Sequence, residues 1–192
     1  MGTTQPIRNK TEVRKFVEYY QKVEPVRRNY ALIELGLHTA LRISDILNLR
    51  WKDVYDFENE QFQEHLFVLE KKTGKHNIIA LNYHVTEALT DYKKDRKPMP
   101  EDYIFTKNTD YTTPLSRSQA FRIVKKAAEN SIHEKHVSCH SLRKTFGYHA
   151  WKQGTPPALL MDIYNHSSYR VTKRYLGIEQ DERDAIFKQI DF

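Results

Sequence analysis

His65-Leu66-Phe67-Val68-Leu69, then Lys72-Thr73-Gly74-Lys75, then Asn77-Ile78-Ile79-Ala80-Leu81 read as a strand, a tight turn and a return strand. This hairpin decides the fold class, because the sequence on either side of it has the periodicity of helices. Upstream, Val13, Phe16, Val17, Tyr20 and Val23 recur at three- and four-residue intervals, one face of a helix over 11–23. A second apolar-periodic stretch runs from Tyr30 to Leu37 and a short third one from Ser44 to Leu49, while Glu58-Asn59-Glu60 reads as a turn before the strands. Downstream, Asn82 is placed to cap a helix carrying Val85, Ala88, Leu89 and Tyr92, closed by Pro98 and Pro100. Residues 102–114 read as loop apart from Tyr103-Ile104-Phe105. Ser116 can cap a helix with Ala120, Phe121, Val124 and Ala127. A further helix is predicted from about His140 to Gln153 with Gly154 as its stop, and Thr155-Pro156 restarts another. In the tail, Ile178, Ala185, Ile186 and Ile190 form a weak helical stripe. The expectation is an α+β fold, mainly α, in one helical domain with a small three-stranded antiparallel sheet.

Composition supports a single globular unit. The chain has 192 residues, 39% hydrophobic and 29% charged, with only 6 Gly and 7 Pro, which excludes a disordered or collagen-like polymer. Apolar runs fall short of the ~20 residues that cross a bilayer, and Met1 to Lys10 is polar, so no membrane partner and a cytoplasmic location are expected. Cys139 is the only cysteine, which excludes an intramolecular disulfide and any multi-cysteine metal site. Lys plus Arg total 31 against 25 Asp plus Glu, a net +6, and the field of such a chain attracts polyanions without naming which.

Several basic residues fall at the ends of predicted elements, where side chains can converge. Arg42 opens the helix that holds Asp45, Ile46 and Leu49; Lys72 sits in the hairpin turn; His140 and Arg143, three apart, share a helix face; His166 lies in the polar turn Asn165-His166-Ser167-Ser168; Tyr175 follows it. Singly each has an ordinary explanation as a solvated arginine, a turn lysine or a packing tyrosine. Together, Thr39-Ala40-Leu41-Arg42-Ile43-Ser44-Asp45, Lys71-Lys72-Thr73-Gly74-Lys75, His140-Ser141-Leu142-Arg143 and His166-Ser167-Ser168 with Thr172 and Tyr175 resemble, in order and spacing, the boxes of the tyrosine recombinase (phage integrase) family. The resemblance covers nearly the whole chain. Two departures stand out. Where the family usually has Leu-Gly-His-Ser, this chain has Tyr164-Asn165-His166-Ser167, and Asn is the residue next most tolerant of the left-handed turn. Only about forty residues precede Arg42, where family members commonly carry a core-binding or arm-binding domain. Residues 1–192 are therefore expected to be a single catalytic domain, a piece of a longer integrase or a short member like the fimbrial phase-variation recombinases.

The resemblance implies a site-specific recombinase that cleaves and rejoins double-stranded DNA through a 3′-phosphotyrosyl intermediate, as a homo-oligomer (tetramer) on DNA, without metal or other cofactor. The catalytic set it implies is Arg42, Lys72, His140, Arg143, His166 and Tyr175. The residue types suit the chemistry. Guanidinium groups bind two oxygens of a phosphodiester at once, a tyrosine hydroxyl can attack phosphorus, and a flexible lysine can protonate the leaving 5′-oxygen. Lys72 is preferred as that acid and Lys75 is its alternate. His140 and His166 would position oxygens and shuttle protons. Ile178, Ile186 and Ile190 are expected to dock the tail on another protomer, or to fold back on their own domain.

Competing readings exist. His133, His136 and His140 are dense in possible metal ligands, but they miss the His-Glu-x-x-His spacing, and Ser138 reads as a helix cap that leaves His133 and His136 in the loop before it. Cys139 reads as a small buried residue rather than a nucleophile. Tyr169 rivals Tyr175 for the attack. At the level of function, a non-catalytic DNA-binding regulator and a type IB topoisomerase-like enzyme are the alternatives.

Overall fold

The computed structural model describes residues 4–70, 74–107 and 110–191. Asn9 caps the first helix, α1 (Lys10–Glu18), by accepting from the Thr11 amide at 2.7 Å, and the helix continues as a π-helical turn, Tyr19–Val23. Next comes α2 (Arg27–His38), in which every residue from Asn29 to Leu37 is buried. A helix enclosed on all sides shows no polar face to find by periodicity. It is the axis of the domain. Two short helices follow, α3 (Ile43–Ile46) and α4 (Trp51–Val54), then strands β1 (Tyr55–Asp56), β2 (Gln61–Phe62), β3 (His65–Leu69) and β4 (His76–Ala80). The chain goes on through α5 (Tyr83–Arg96), β5 (Thr106–Lys107), β6 (Asp110–Pro114), α6 (Arg117–Ser131), α7 (Cys139–Lys152), α8 (Pro157–Tyr164), α9 (Tyr169–Leu176) and α10 (Glu179–Gln189).

Antiparallel pairing is as expected, but among the described residues it forms three separate two-stranded ribbons rather than one three-stranded sheet. β1 and β2 are only two residues long and pair with each other across the Glu58–Glu60 turn, where Glu60 adopts φ 52°, so they leave no ladder for β3 to join. β3 pairs with β4 in the register His65 opposite Ala80 and Leu69 opposite His76. The expected loop at 102–114 contains the ribbon β5–β6, and at the start of β6 the Asp110 carboxylate accepts from the amides of Thr112 and Thr113. The predicted helix over 44–49 is confined to α3.

Capping residues act as their types dictate. Asn82 accepts from the Val85 amide, Ser116 and Gln119 form a reciprocal capping box, and Ser138 caps α7 by accepting from the His140 amide. α5 and α7 both pack on α2, and α8 and α9 pack on α7. The main core gathers Phe16, Leu32, Trp51, Leu66, Leu89, Phe105 and Leu142. A smaller cluster of Ala40, Tyr148, Tyr164, Leu176 and Ile178 joins α7 to the C-terminal helices.

The tail departs from expectation in one respect. Ile178 is fully buried in that second cluster and is not part of an outward stripe, because Gly177, at φ 73°, ends α9 and turns the next residue inward. Ile186, Phe187 and Ile190 remain exposed, and α10 buries no residue. Its first turn is held to the same chain by Arg8–Asp181 and Lys173–Glu182 ion pairs.

The approach of α8 and α9 to α7 depends on Gly147. A Cβ there would stand against the Tyr164 hydroxyl and 2.6 Å from Leu176 Cδ2. We predict that Gly147→Ala destabilises the fold by about 1–3 kcal/mol, the usual range for overpacking, measured by urea unfolding; an unchanged midpoint would show that this contact relaxes freely.

Candidate active site

Five elements converge on one place. The turn 39–42 leaves α2 through Ala40, at φ 55°, and aims the Ala40 carbonyl at Arg143, whose Nη1 donates to it. Arg42 follows in extended conformation at the start of α3. Arg143, in the second turn of α7, is 3% exposed, and its Nη2 lies 3.5 Å from the Tyr164 carbonyl at the end of α8. Tyr164 returns the contact by donating its hydroxyl to the Arg143 carbonyl at 2.6 Å. The geometry is reciprocal: the arginine grips the end of α8, and α8 grips the backbone of α7.

The third partner of the arginines is an acid that the sequence reading did not single out. Glu70, one residue past β3, is 1% exposed; its Oε2 accepts from Arg42 Nη1, and its Oε1 lies 3.8 Å from Arg143 Nη1. Asn77 in β4 donates to the same Oε1 at 3.0 Å. The signal was available, since Leu66, Val68 and Glu70 are the inward positions of a period-two pattern that runs one residue beyond the apolar string. Lys72 lies outside the described residues. Lys75 is described and exposed, and its carbonyl accepts from the Glu70 amide at 2.9 Å, closing the hairpin.

From the C-terminal side, Asn165 ends α8 in the left-handed conformation (φ 55°, ψ 49°), the geometry expected of the residue that stands where the resembling family has glycine. This turn sets His166 beside Tyr175, with ring centroids 5.2 Å apart and nearly perpendicular. His166 Nδ1 is 3.1 Å from the hydroxyl of Thr172, itself fully buried. Burial, and then the charges of Arg143 and Arg42, lower the His166 pKa, so the ring is neutral at pH 7. Tyr175 is half-buried on α9. Burial raises its pKa, while the charges of Arg143 and Arg42 pull it back down. Lys144 Nζ lies 5.2 Å from the Tyr175 ring centroid, a contact that sequence reasoning also missed.

The structure thus brings Arg42, Arg143, His166 and Tyr175 together. His140 is exposed on the first turn of α7, on the same side of the helix as Arg143. The rival Tyr169 is engaged elsewhere, donating its hydroxyl to Glu182 at 2.8 Å. Cys139 has its thiol pushed up to about 11 by burial, which leaves it protonated and inert. His133 and His136 are exposed in the loop before Ser138. Among the described residues, the group whose ligand atoms could surround a metal is Glu34, His38 and His84, within 4.8 Å of one another. It lines a cavity of about 760 Å³ between α1, α2, α5 and α7 that neither arginine reaches. There the Asn82 side-chain amide lies 2.9 Å from His38 Nδ1, and His38 Nε2 lies 3.1 Å from the Glu34 carboxylate.

Residues 9–182 match the phage integrase family. The chain belongs to that family. It is 38% identical over 188 residues to the probable integrase/recombinase YoeC of Bacillus subtilis, covering 98% of this chain and 97% of that one. The fold superposes on the XerA recombinase with a TM-score of 0.76 at 21% identity, over all of this chain and 68% of XerA. It also superposes on the Tn1549 transposon integrase in complex with a circular intermediate DNA, with a TM-score of 0.67 at 25% identity, over 91% of this chain and 62% of that one. The protein is a tyrosine-type site-specific recombinase of the phage integrase family, α+β and mainly helical. Among its described residues, no helix is long and apolar enough to cross a membrane.

Burial lowers the pKa of two histidines, His149 and His166, below the ordinary 6.5. Between the lowered native value and 6.5 the unfolded chain binds more protons than the native one, so stability rises with pH through that window and is lost as pH falls through it. Urea unfolding should therefore give a lower free energy at about pH 5.5 than at about pH 7.5, and His166→Gln should flatten the slope. A slope unchanged by the substitution would show that His166 does not resist protonation.

Proposed function

We propose that residues 1–192 form one catalytic domain that cleaves and rejoins double-stranded DNA, with Arg42 and Arg143 binding the scissile phosphate and Tyr175 as nucleophile. The observation that carries this reading is the convergence of both guanidinium groups on one anion, next to a half-buried tyrosine. Two guanidinium groups suit the equatorial oxygens of a pentacoordinate phosphorus, where negative charge grows during attack. The Tyr175 oxygen bonds to phosphorus and loses its proton. The bond to the 5′-oxygen breaks, and that oxygen takes a proton from Lys72. The product is a 3′-phosphotyrosyl ester, from which a 5′-hydroxyl can reform the DNA strand in the reverse step without ATP. Because burial keeps Tyr175 protonated before attack, its proton needs an acceptor as the bond forms. Neutral His166 beside the ring fits that role, with His140 positioning a phosphate oxygen.

Support for Lys72 comes from the ends of its turn. Glu70 touches both arginines, and the Glu70–Lys75 hydrogen bond fixes the base of the loop that carries the lysine. Double-stranded DNA is the partner that the Tn1549 integrase complex suggests, and a tetramer is the assembly that symmetric strand exchange would need. The exposed Ile186, Phe187 and Ile190 of α10 are a surface on which such protomers could pack. On this reading the protein works on DNA in the cytoplasm, and neither metal nor nucleotide enters the chemistry.

Suicide nicked duplexes, selected from a randomised pool for covalent capture by the wild type, test these roles. Arg143→Ala should slow adduct formation by about two to three orders of magnitude, as for loss of a comparable electrostatic donor, while weakening DNA binding far less, since binding is shared among many phosphates. Normal cleavage by bound Arg143→Ala would sink the reading. Lys72→Ala should be inactive on ordinary DNA and rescued when sulfur replaces the bridging 5′-oxygen, because a thiolate leaves without a proton. Rescue of Lys75→Ala instead would move the acid to Lys75, and rescue of neither would remove lysine from the proton transfer.

A further inference from the structure

The buried carboxylate of Glu70 has no place in the reaction just described, yet it holds the position that the reaction assigns to phosphate. A carboxylate offers two oxygens in a plane, the same face that a phosphate offers to a guanidinium fork. Here one oxygen meets Arg42 and the other lies 3.8 Å from Arg143. The side chains of Arg42, Arg143 and Glu70 are 19%, 4% and 1% exposed, so this is an ion cluster largely withdrawn from water. Two such cations without an anion would be strongly destabilising, and the paired acid makes their burial tolerable in the DNA-free protein.

We infer that Glu70 is an internal stand-in for the scissile phosphate, one that keeps Arg42 and Arg143 assembled in the absence of DNA and is displaced when DNA enters. The inference rests on the phosphate-binding role proposed for the two arginines. A phosphodiester and a carboxylate cannot share the pair, because like charges in a poorly hydrated site repel strongly. Entry of DNA therefore competes with Glu70, and the outcome is tied to the hairpin. The Glu70 amide donates to the Lys75 carbonyl at 2.9 Å, and the Gly74 amide donates to the Glu70 carbonyl at 2.8 Å. Asn77 holds Oε1 from the opposite strand. A carboxylate on a residue paired through its backbone with Gly74 and Lys75 leaves the arginines by straining those two hydrogen bonds, so phosphate binding is coupled to the base of the β3–β4 hairpin. The device suppresses engagement of arbitrary anions, because only a ligand with enough other contacts to DNA can outcompete a tethered carboxylate.

Glu70→Gln tests this, since it keeps the shape and an acceptor for Asn77 but removes the charge. In a Tyr175→Phe background, where no adduct forms, Glu70→Gln should bind the selected duplex about tenfold more tightly than the chain with Glu70. Inorganic phosphate should raise the thermal midpoint of Glu70→Gln and leave that of the wild type unchanged. With Tyr175 restored, adduct formation at saturating DNA should be no slower than in the wild type. Equal or weaker binding, or slower cleavage at saturation, would overturn the inference and make Glu70 a resident positioning group. Should Glu70→Gln fail to fold, hydrogen exchange on the Tyr175→Phe chain decides. The amides of residues 66–70 and 74–80 should lose protection when the duplex binds, and unchanged protection would overturn the displacement. These failures leave Arg143→Ala inactive, whereas failure of the phosphate-binding role itself appears as normal cleavage by Arg143→Ala.

Discussion

Two guanidinium groups cannot be buried side by side unless something negative or strongly dipolar meets them, and in this protein the answer to that constraint ties both halves of the chain together at one site. Arg143 takes the Ala40 carbonyl from the turn after α2, approaches the Tyr164 carbonyl at the end of α8, and faces Glu70 from the β3–β4 hairpin. Arg42 takes the other oxygen of the same acid. Segments distant in sequence are thereby tied to one charge cluster, and each contact fixes a group that the proposed chemistry uses. Burial costs of several kcal/mol per unpaired ion mean that removing any one partner disturbs the rest.

The proposed nucleophile is placed by packing rather than by charge. Tyr175 rides on α9, whose inward residues Thr172 and Leu176 are fully buried, and the close approach of α8 and α9 to Gly147 sets how near the hydroxyl comes to Arg143. His166 reaches the ring because Asn165 takes a left-handed turn at the end of α8. Burial raises the tyrosine pKa while the arginines lower it, so the hydroxyl stays protonated at rest in a field that already favours the oxyanion. Such a group is stable until a phosphate arrives, and then has a neutral imidazole at hand.

Much of this was legible in the sequence, for identifiable reasons. The caps Asn82, Ser116 and Ser138 are short-range devices, and local sequence specifies them. The hairpin over 65–81 was legible because strand alternation and a Gly-containing turn coincide. Arg42, Arg143, His166 and Tyr175 were found through a resemblance in order and spacing, and the structure gathers them. Glu70 was not found, since its burial depends on two arginines far away in the chain, although the alternation Leu66, Val68, Glu70 pointed inward. Ile178 was misplaced because only the turn at Gly177 reveals that it faces the core. Residues 102–114 conceal a ribbon of two short strands, and a single three-stranded sheet was expected where short strands pair only with their immediate neighbours.

In the proposed mechanism the covalent bond to DNA forms on the tyrosine beside Arg143. Trapping the wild-type chain on a suicide nicked duplex, digesting both components and locating the nucleotide-bearing peptide by mass spectrometry measures it directly. The nucleotide should be found on Tyr175, attached through a 3′-phosphate. A nucleotide on Tyr169, or an adduct at any residue away from the two arginines, would contradict the claim.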